Sequence, residues 1–187
     1  MNIDKNMSIR DLAVVVADHL ARHGIDTVLS GGACVAIYTR NEWVSYDLDF
    51  VLMDASQKKK VGKTLEAIGF RPDGRHFRNP DTPYILEFLS PPLSVGEEPV
   101  KDVHTLTIRN RRLRLLSPTD CVKDRLAAYY HWNDKPSLEQ AARVGLSQKI
   151  RLGEIKSWSI REGMKDKFPD FLGELKRLRS GKPAETG

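Results

Sequence analysis

The stretch that decides the fold is Leu29-Ser30-Gly31-Gly32-Ala33, read together with Ser45-Tyr46-Asp47-Leu48-Asp49-Phe50-Val51. A glycine pair closes an apolar strand and opens a short helix. Backbone N–H groups at a helix start are a natural seat for phosphate. The second stretch reads as a strand carrying two carboxylates separated by one residue. Side chains alternate across a strand, so Asp47 and Asp49 point the same way, about 6–7 Å apart at their roots. Carboxylates at that spacing can share divalent cations. A phosphate seat beside paired metal-binding acids points to nucleotidyl or phosphoryl transfer.

A plainer explanation exists. Tyr46, Leu48, Phe50 and Leu52 occupy the other face of the strand, so Asp47 and Asp49 can simply face solvent in a half-buried sheet. Against this, the acid face continues as Val51 and Met53, and aspartate is depleted in strands. Acids on a face that turns apolar are costly unless a cation or other partner compensates them. A third acid, Glu87, interrupts the apolar run Tyr84-Ile85-Leu86-Glu87-Phe88-Leu89. If that strand neighbours the first, Glu87 completes an acidic cluster, as a metal ligand or a general base. Alone, it is equally explained as an edge-facing glutamate.

Outward from these motifs the chain alternates helix and strand. Ser8 with Asp11 forms a capping box, followed by Ile9, Leu12, Val16 and Leu20 at helical spacing and by a stop at Gly24. Residues 25–29 read as a buried strand, 33–39 as a short helix and 46–52 as the carboxylate strand. Asp54 or Ser56 caps a helix through Val61, Leu65 and Ile68, ended by Gly69. Residues 71–78 form a weak strand, 84–89 a stronger one, and 103–108 with 112–116 a hairpin around Asn110. From Ser117-Pro118-Thr119-Asp120, a strong helix start, the pattern is helical throughout. The predicted fold class is α+β: a mixed β-sheet flanked by helices over 1–116, a helical C-terminal region over 117–180 and a disordered tail over 181–187.

Composition bounds the function. At 187 residues, 40% hydrophobic and 29% charged, the chain can bury one good core. No apolar run approaches a membrane span, and the first residues lack a signal-peptide core, so a cytoplasmic protein is expected. Cys34 and Cys121 have no paired spacing, and the five histidines no ligand spacing. The net charge of +5 favours an anionic partner such as a nucleotide or RNA, though a mildly basic surface explains it as well. Arg109, Arg111, Arg112 and Arg114 crowd one segment, where they either grip phosphates or protect an edge strand by charge. Gly62-Lys63-Thr64 imitates the end of a P-loop but lies inside a predicted helix, which excludes it.

The pattern of Gly31-Gly32, a helix, and then Asp47-Leu48-Asp49-Phe50 resembles the signature of the minimal nucleotidyltransferases. Within that superfamily it is most similar to the abortive-infection (AbiEii-like) toxin branch, through Gly31-Gly32-Ala33-Cys34-Val35-Ala36-Ile37 and Ser45-Tyr46-Asp47-Leu48-Asp49-Phe50. The resemblance is good over about residues 25–90. Farther on, Leu115-Leu116-Ser117-Pro118 and Asp124-Arg125-Leu126-Ala127-Ala128 match the segment after the sheet, with Arg125 in place of the branch's usual lysine. The resemblance implies a nucleotidyltransferase-like mixed sheet and two Mg²⁺ (or Mn²⁺) ions on Asp47 and Asp49, with Glu87 as third acid. It implies NMP transfer from an NTP to an acceptor hydroxyl, on tRNA, other RNA or protein, and, in a toxin–antitoxin pair, an antitoxin partner. The triphosphate is expected on Ser30, Gly31 and Gly32, with Arg112, Arg114 and Arg125 balancing its charge. The alternative is a catalytically degenerate nucleotide-binding or interaction module of the same fold. Catalysis needs all three acids beside Gly31-Gly32; a module needs only the glycine turn and basic groups.

Overall fold

A computed structural model describes residues 3–181. The expected disordered tail lies outside the described residues, apart from Gly181. Helix α1 (Ile9–Arg22) starts at Ser8, whose hydroxyl accepts the Asp11 N–H at 3.1 Å, as its capping sequence predicts. Then follow β1 (Thr27–Ser30), α2 (Gly31–Tyr38), β2 (Asp47–Leu52), a 3-10 turn (Ala55–Gln57) and α3 (Lys58–Glu66). The pseudo-P-loop triplet falls inside α3. Asp54 caps the 3-10 turn by accepting the Ser56 N–H, so the helix proper begins later than its cap sequence suggests.

The weak strand expected over 71–78 is two strands, β3 (Arg71–Asp73) and β4 (His76–Arg78). Gly74, at φ +62°, turns the chain between them. After β5 (Ile85–Leu89) comes a two-stranded excursion that the sequence did not suggest, β6 (Ser94–Val95) and β7 (Glu98–Pro99). The expected hairpin is β8 (Val103–Ile108) and β9 (Arg111–Leu116), joined through Arg109 and Asn110, both at positive φ. A two-residue turn of that handedness matches the twist of paired strands.

Among the described residues, the main sheet has the order β3-β4-β5-β2-β1-β9-β8. The pairs β2–β5 and β1–β9 are parallel and the others antiparallel, so the sheet is mixed, as expected. One face carries Phe50, Phe77 and Phe88. Phe50 stacks on Phe88 at 5.6 Å between centroids, and Phe77 meets Phe88 edge-on at 5.7 Å. Gly62 of α3 lies over Phe77 there. The acids occupy the opposite face of β2. That face does not continue apolar as far as expected: Val51 is buried at 6% exposure, but Met53 lies beyond the end of β2 and is 38% exposed.

The chain finishes in α4 (Pro118–Trp132), α5 (Lys135–Ser147), α6 (Leu152–Arg161) and α7 (Phe168–Arg179). The core runs without interruption from the sheet residues Leu29, Phe50 and Leu86 into Leu126, Ala141, Trp158 and Phe171 of these helices. A buried lysine, Lys123, ties α4 to α6 through Asp120 (3.2 Å) and Glu154 (2.6 Å). Tyr38, at the end of α2, donates its buried hydroxyl to the Leu116 carbonyl at the end of β9, at 2.5 Å. This bond fixes the glycine helix against the sheet.

Tyr38→Phe leaves the Leu116 carbonyl with an unfilled position in an apolar environment. The expected cost is about 1–3 kcal/mol, read as a lower denaturant midpoint at unchanged slope. An unshifted midpoint would mean that the bond contributes nothing net.

Candidate active site

Two neighbouring strands, β2 and β5, carry the acids. Asp49 is the register partner of Ser30 in β1 and of Glu87 in β5, and Glu87 is in turn the partner of His76 in β4. Partners in register project to the same face, about 5 Å apart between neighbouring strands. Asp47 shares that face and is more exposed, toward the start of β2. All three predicted acids therefore lie on one sheet face, next to the glycine turn.

The turn and Asp49 are built around each other. Gly31 has φ +67°, and a Cβ there would fall 2.2 Å from Asp49 Oδ2. Only glycine meets both demands. A Cβ on Gly32 would come to 3.0 Å from the Ser45 hydroxyl, which itself donates to the Asp47 carbonyl at 3.2 Å. Ser30 is buried, and its hydroxyl donates to the Asp49 carbonyl at 3.2 Å. That bond locks β1 to β2.

The charges around Asp49 do not balance. Burial, then the negative Glu87, push its carboxyl up to about 6; Arg125 opposes the shift, while Asp47 and Asp124 add to it. Arg125 of α4 is itself committed. Its guanidinium grips Asp124 through Nε (2.9 Å) and Nη2 (2.6 Å), and Nη1 reaches Gln140 of α5 at 3.4 Å. Glu87 faces two side chains from the β3–β4 hairpin: the Arg75 guanidinium, Nε at 3.5 Å, and the His76 ring, Nε2 at 3.4 Å, which also accepts from Arg75 Nε at 3.2 Å.

Two expected phosphate ligands do not join this cluster. Arg114 is ion-paired with Asp26, which precedes β1, whereas Gly31 follows it. The four-residue strand between them spans roughly 13 Å. Arg112 is exposed farther toward that remote end of β9, opposite Thr107 of β8. Because β1 and β9 run parallel with Leu29 beside Leu115, the arginine-rich start of β9 lies level with the wrong end of β1. Sequence reasoning in turn missed Arg75, His76, Asp124 and Gln140. His76 carried a signal only in hindsight of the hairpin: it stands two residues after Gly74, so it belongs to a strand that returns beside β5.

The donor set suits a hard divalent cation. Carboxylate oxygens are the preferred ligands of Mg²⁺ and Mn²⁺, and an under-compensated carboxylate such as Asp49 favours a cation beside it. Among the described residues, no three His, Cys, Asp or Glu side chains converge into a ready metal cage. Asp47 and Asp49 therefore fit as a pair, with water and substrate oxygens completing the shell, which is ordinary for Mg²⁺.

The raised carboxyl has a stability consequence. A proton bound more tightly in the folded state stabilises the fold at low pH, and this contribution is lost as pH rises from about 4 to about 6. A shift of this size corresponds to roughly 3 kcal/mol at full effect. Asp49→Asn removes the charge, so its melting temperature should gain on the wild type between pH 4.5 and 7.5. Millimolar Mn²⁺ should raise the wild-type melting temperature at pH 7.5 and leave the variant's unchanged. A pH-independent difference between the two would show that Asp49 carries no electrostatic burden.

No family model matches the sequence, and no curated protein matches it. Solved structures do. An antigenic nucleotidyltransferase-like protein from Paracoccidioides brasiliensis is 17% identical at a TM-score of 0.63, over 92% of this chain and 94% of that one. The antibiotic-resistance factor ANT(2'')-Ia is 12% identical at a TM-score of 0.54 in its solution structure, over 94% of this chain and 100% of that one. Its crystal structure with adenylyl-2''-tobramycin gives 12% and 0.50, over 85% and 97%. At these identities the likeness establishes architecture: the chain has a nucleotidyltransferase fold.

Proposed function

We propose that the chain is a metal-dependent nucleotidyltransferase that moves NMP from an NTP to an acceptor hydroxyl. The observation that carries this reading is the packing of Asp49 against Gly31, with Glu87 in register beside it. A phosphate seat and an acidic cluster are thereby fused into one site. That the fold neighbours include the antibiotic-resistance factor ANT(2'')-Ia, solved in complex with adenylyl-2''-tobramycin, supports the same chemistry.

Each residue then has a task. The N–H groups following Gly31 and Gly32 receive the triphosphate. Asp47 and Asp49 would hold Mg²⁺ or Mn²⁺, which when bound neutralises charge on the phosphates and acidifies the attacking hydroxyl. Glu87 accepts the hydroxyl proton as the acceptor oxygen bonds to the α-phosphorus and the α–β bridging bond breaks, releasing pyrophosphate. Arg75 and His76 steady Glu87 from the far side. Arg125, held by Asp124, supplies positive charge from the helical side.

One observation favours the second reading, a non-catalytic nucleotide-binding module. Glu87 and Arg125, the expected base and phosphate ligand, are both already paired within the protein. The two readings separate on label transfer from α-³²P-NTP with Mg²⁺ or Mn²⁺. The wild type should transfer label. Asp49→Asn should lose at least about 100-fold, since it removes a group the reacting phosphate depends on. Arg125→Ala should lose less, chiefly through weaker nucleotide binding. Equal labelling by the wild type and Asp49→Asn would sink the catalytic assignment, and nucleotide binding without any labelling would favour the module. A toxin role under this proposal requires that induced expression arrest growth and that Asp49→Asn relieve the arrest.

A further inference from the structure

The two edges of the main sheet are built differently. At one edge, β3 is three residues long, Arg71-Pro72-Asp73. A proline and two charges on so short a strand are the usual devices that keep an edge from pairing. At the other edge, β8 is six residues long, Val103-His104-Thr105-Leu106-Thr107-Ile108, without an acidic residue, lysine, arginine, proline or glycine. Val, Ile and Thr favour the strand conformation. Among the described residues no strand covers the outer side of β8.

The hairpin fixes which main-chain groups face outward. Its turn is Arg109-Asn110, both at positive φ, and Ile108 is the partner of Arg111. In a two-residue turn of that kind the flanking pair exchanges main-chain hydrogen bonds, and bonded pairs alternate along the ladder. Ile108, Leu106 and His104 therefore bond to β9, while Val103, Thr105 and Thr107 aim their N–H and C=O groups away from it. A slot accompanies this edge. It has a volume of about 280 Å³, lies between α1 and the turn end of the hairpin, and is walled by Val14, Val15 and Ile108. A strand added to β8 lays alternate side chains along this side of the sheet, which gives an added strand side-chain contacts besides its main-chain bonds.

The sequence selects the occupant. Thr105-Leu106-Thr107 reads the same in both directions. Two copies of β8 related by a two-fold axis through Leu106 run antiparallel and keep each sheet face on its own side. In that register Thr105 of each copy opposes Thr107 of the other, and Leu106 opposes Leu106. The threonine pairs are the ones whose main-chain groups face outward, so each copy supplies what the other lacks, and both threonines are exposed. Cross-strand Thr–Thr pairs are favourable in themselves. His104 of each copy falls beside Ile108 of the other, on the face where the slot lies. Exposed Asp102 comes opposite Asn110 of the second copy, next to its exposed Arg109. Palindromic side chains and opposite charges at the two strand ends thus both favour a second copy of this chain.

We propose that β8 is a homodimer interface, through which two copies join antiparallel about Leu106 into one continuous sheet. The acids on β2 and β5 take no part in this pairing, so it stands apart from the transfer reading.

The test is analytical ultracentrifugation of the full chain over about 1–200 µM, a span that brackets micromolar association. The weight-average mass should rise from that of one copy toward that of two and then level off. Thr105→Pro removes an outward N–H and leaves the β9 ladder its donors, and Thr107→Lys puts a charge on the exposed edge. Each should raise the dimer Kd at least about tenfold. Circular dichroism should show the wild-type fold, and Thr107→Lys keeps the test decisive if the proline lowers the melting temperature. Leu106→Cys reads the register. The Cα atoms of a non-hydrogen-bonded pair lie about 4.5 Å apart, within disulfide reach. Oxidation with diamide should therefore link two copies of this variant, and not two copies of Lys59→Cys, whose site lies on α3. The mass of a single copy over the whole range overturns the proposal, as does association indifferent to both edge substitutions. A mass that climbs without a plateau also overturns it, because it marks an open-ended edge and not a two-fold pair. Cross-linking of Leu106→Cys no faster than of Lys59→Cys defeats the pairing about Leu106.

Discussion

The contact between the Asp49 carboxylate and the Gly31 backbone is the constraint around which the rest is arranged. Oδ2 lies where a side chain on Gly31 would begin, so strand β2 and the start of α2 cannot approach as they do unless residue 31 is glycine. That approach is secured from several sides. Ser30 bonds the Asp49 carbonyl, Ser45 bonds the Asp47 carbonyl, and Tyr38 anchors the other end of α2 to β9. None of these bonds performs chemistry. Together they hold a carboxylate beside the first backbone N–H groups of α2, the juxtaposition on which the proposed transfer reading rests.

The position is electrostatically expensive. Asp49 is partly buried with Glu87 in register beside it, and its carboxyl is pushed up accordingly. The fold offsets this at a distance, not by direct pairing. Arg75 and His76 approach Glu87 from the β3–β4 hairpin, and Arg125 faces Asp49 while bonded to Asp124. Arg75 and Arg125 thus each pair with a neighbour of Asp49 and not with Asp49 itself. The carboxylate at the centre is left as the under-compensated member, the condition in which a bound divalent cation lowers the free energy most.

The sheet and the acidic face were legible because they rest on local rules. Alternation along Asp47-Leu48-Asp49-Phe50 puts two acids on one side, and a lone acid in an apolar run identifies Glu87. The capping serines 8 and 117 mark helix starts by chemistry that involves only their own turn. The partners of those acids were not legible, since register between strands distant in sequence decides them. Arg112 and Arg114 are as basic as a phosphate site could ask, yet the parallel pairing of Leu29 with Leu115 sets them at the far end of β1. Arg75 and His76 carry no motif at all. They reach Glu87 only because Gly74 splits one expected strand into a hairpin whose second arm pairs with β5. Spacing along the chain thus identified the chemistry-bearing strands, while topology chose which charges serve them.

The helical half follows from the same geometry. Helix α4 must bring Arg125 to Asp49, and its apolar residues Val122, Leu126 and Tyr130 are buried in the core shared with the sheet. With one face so committed, the helix projects its end, Trp132, beyond the core into solvent. The left-handed turn at Asn133 then sends α5 back along α4, placing Gln140 on Arg125. The charge balance at Asp49 therefore depends on how α4 and α5 pack, because the Arg125 guanidinium is held by Asp124 of α4 and Gln140 of α5.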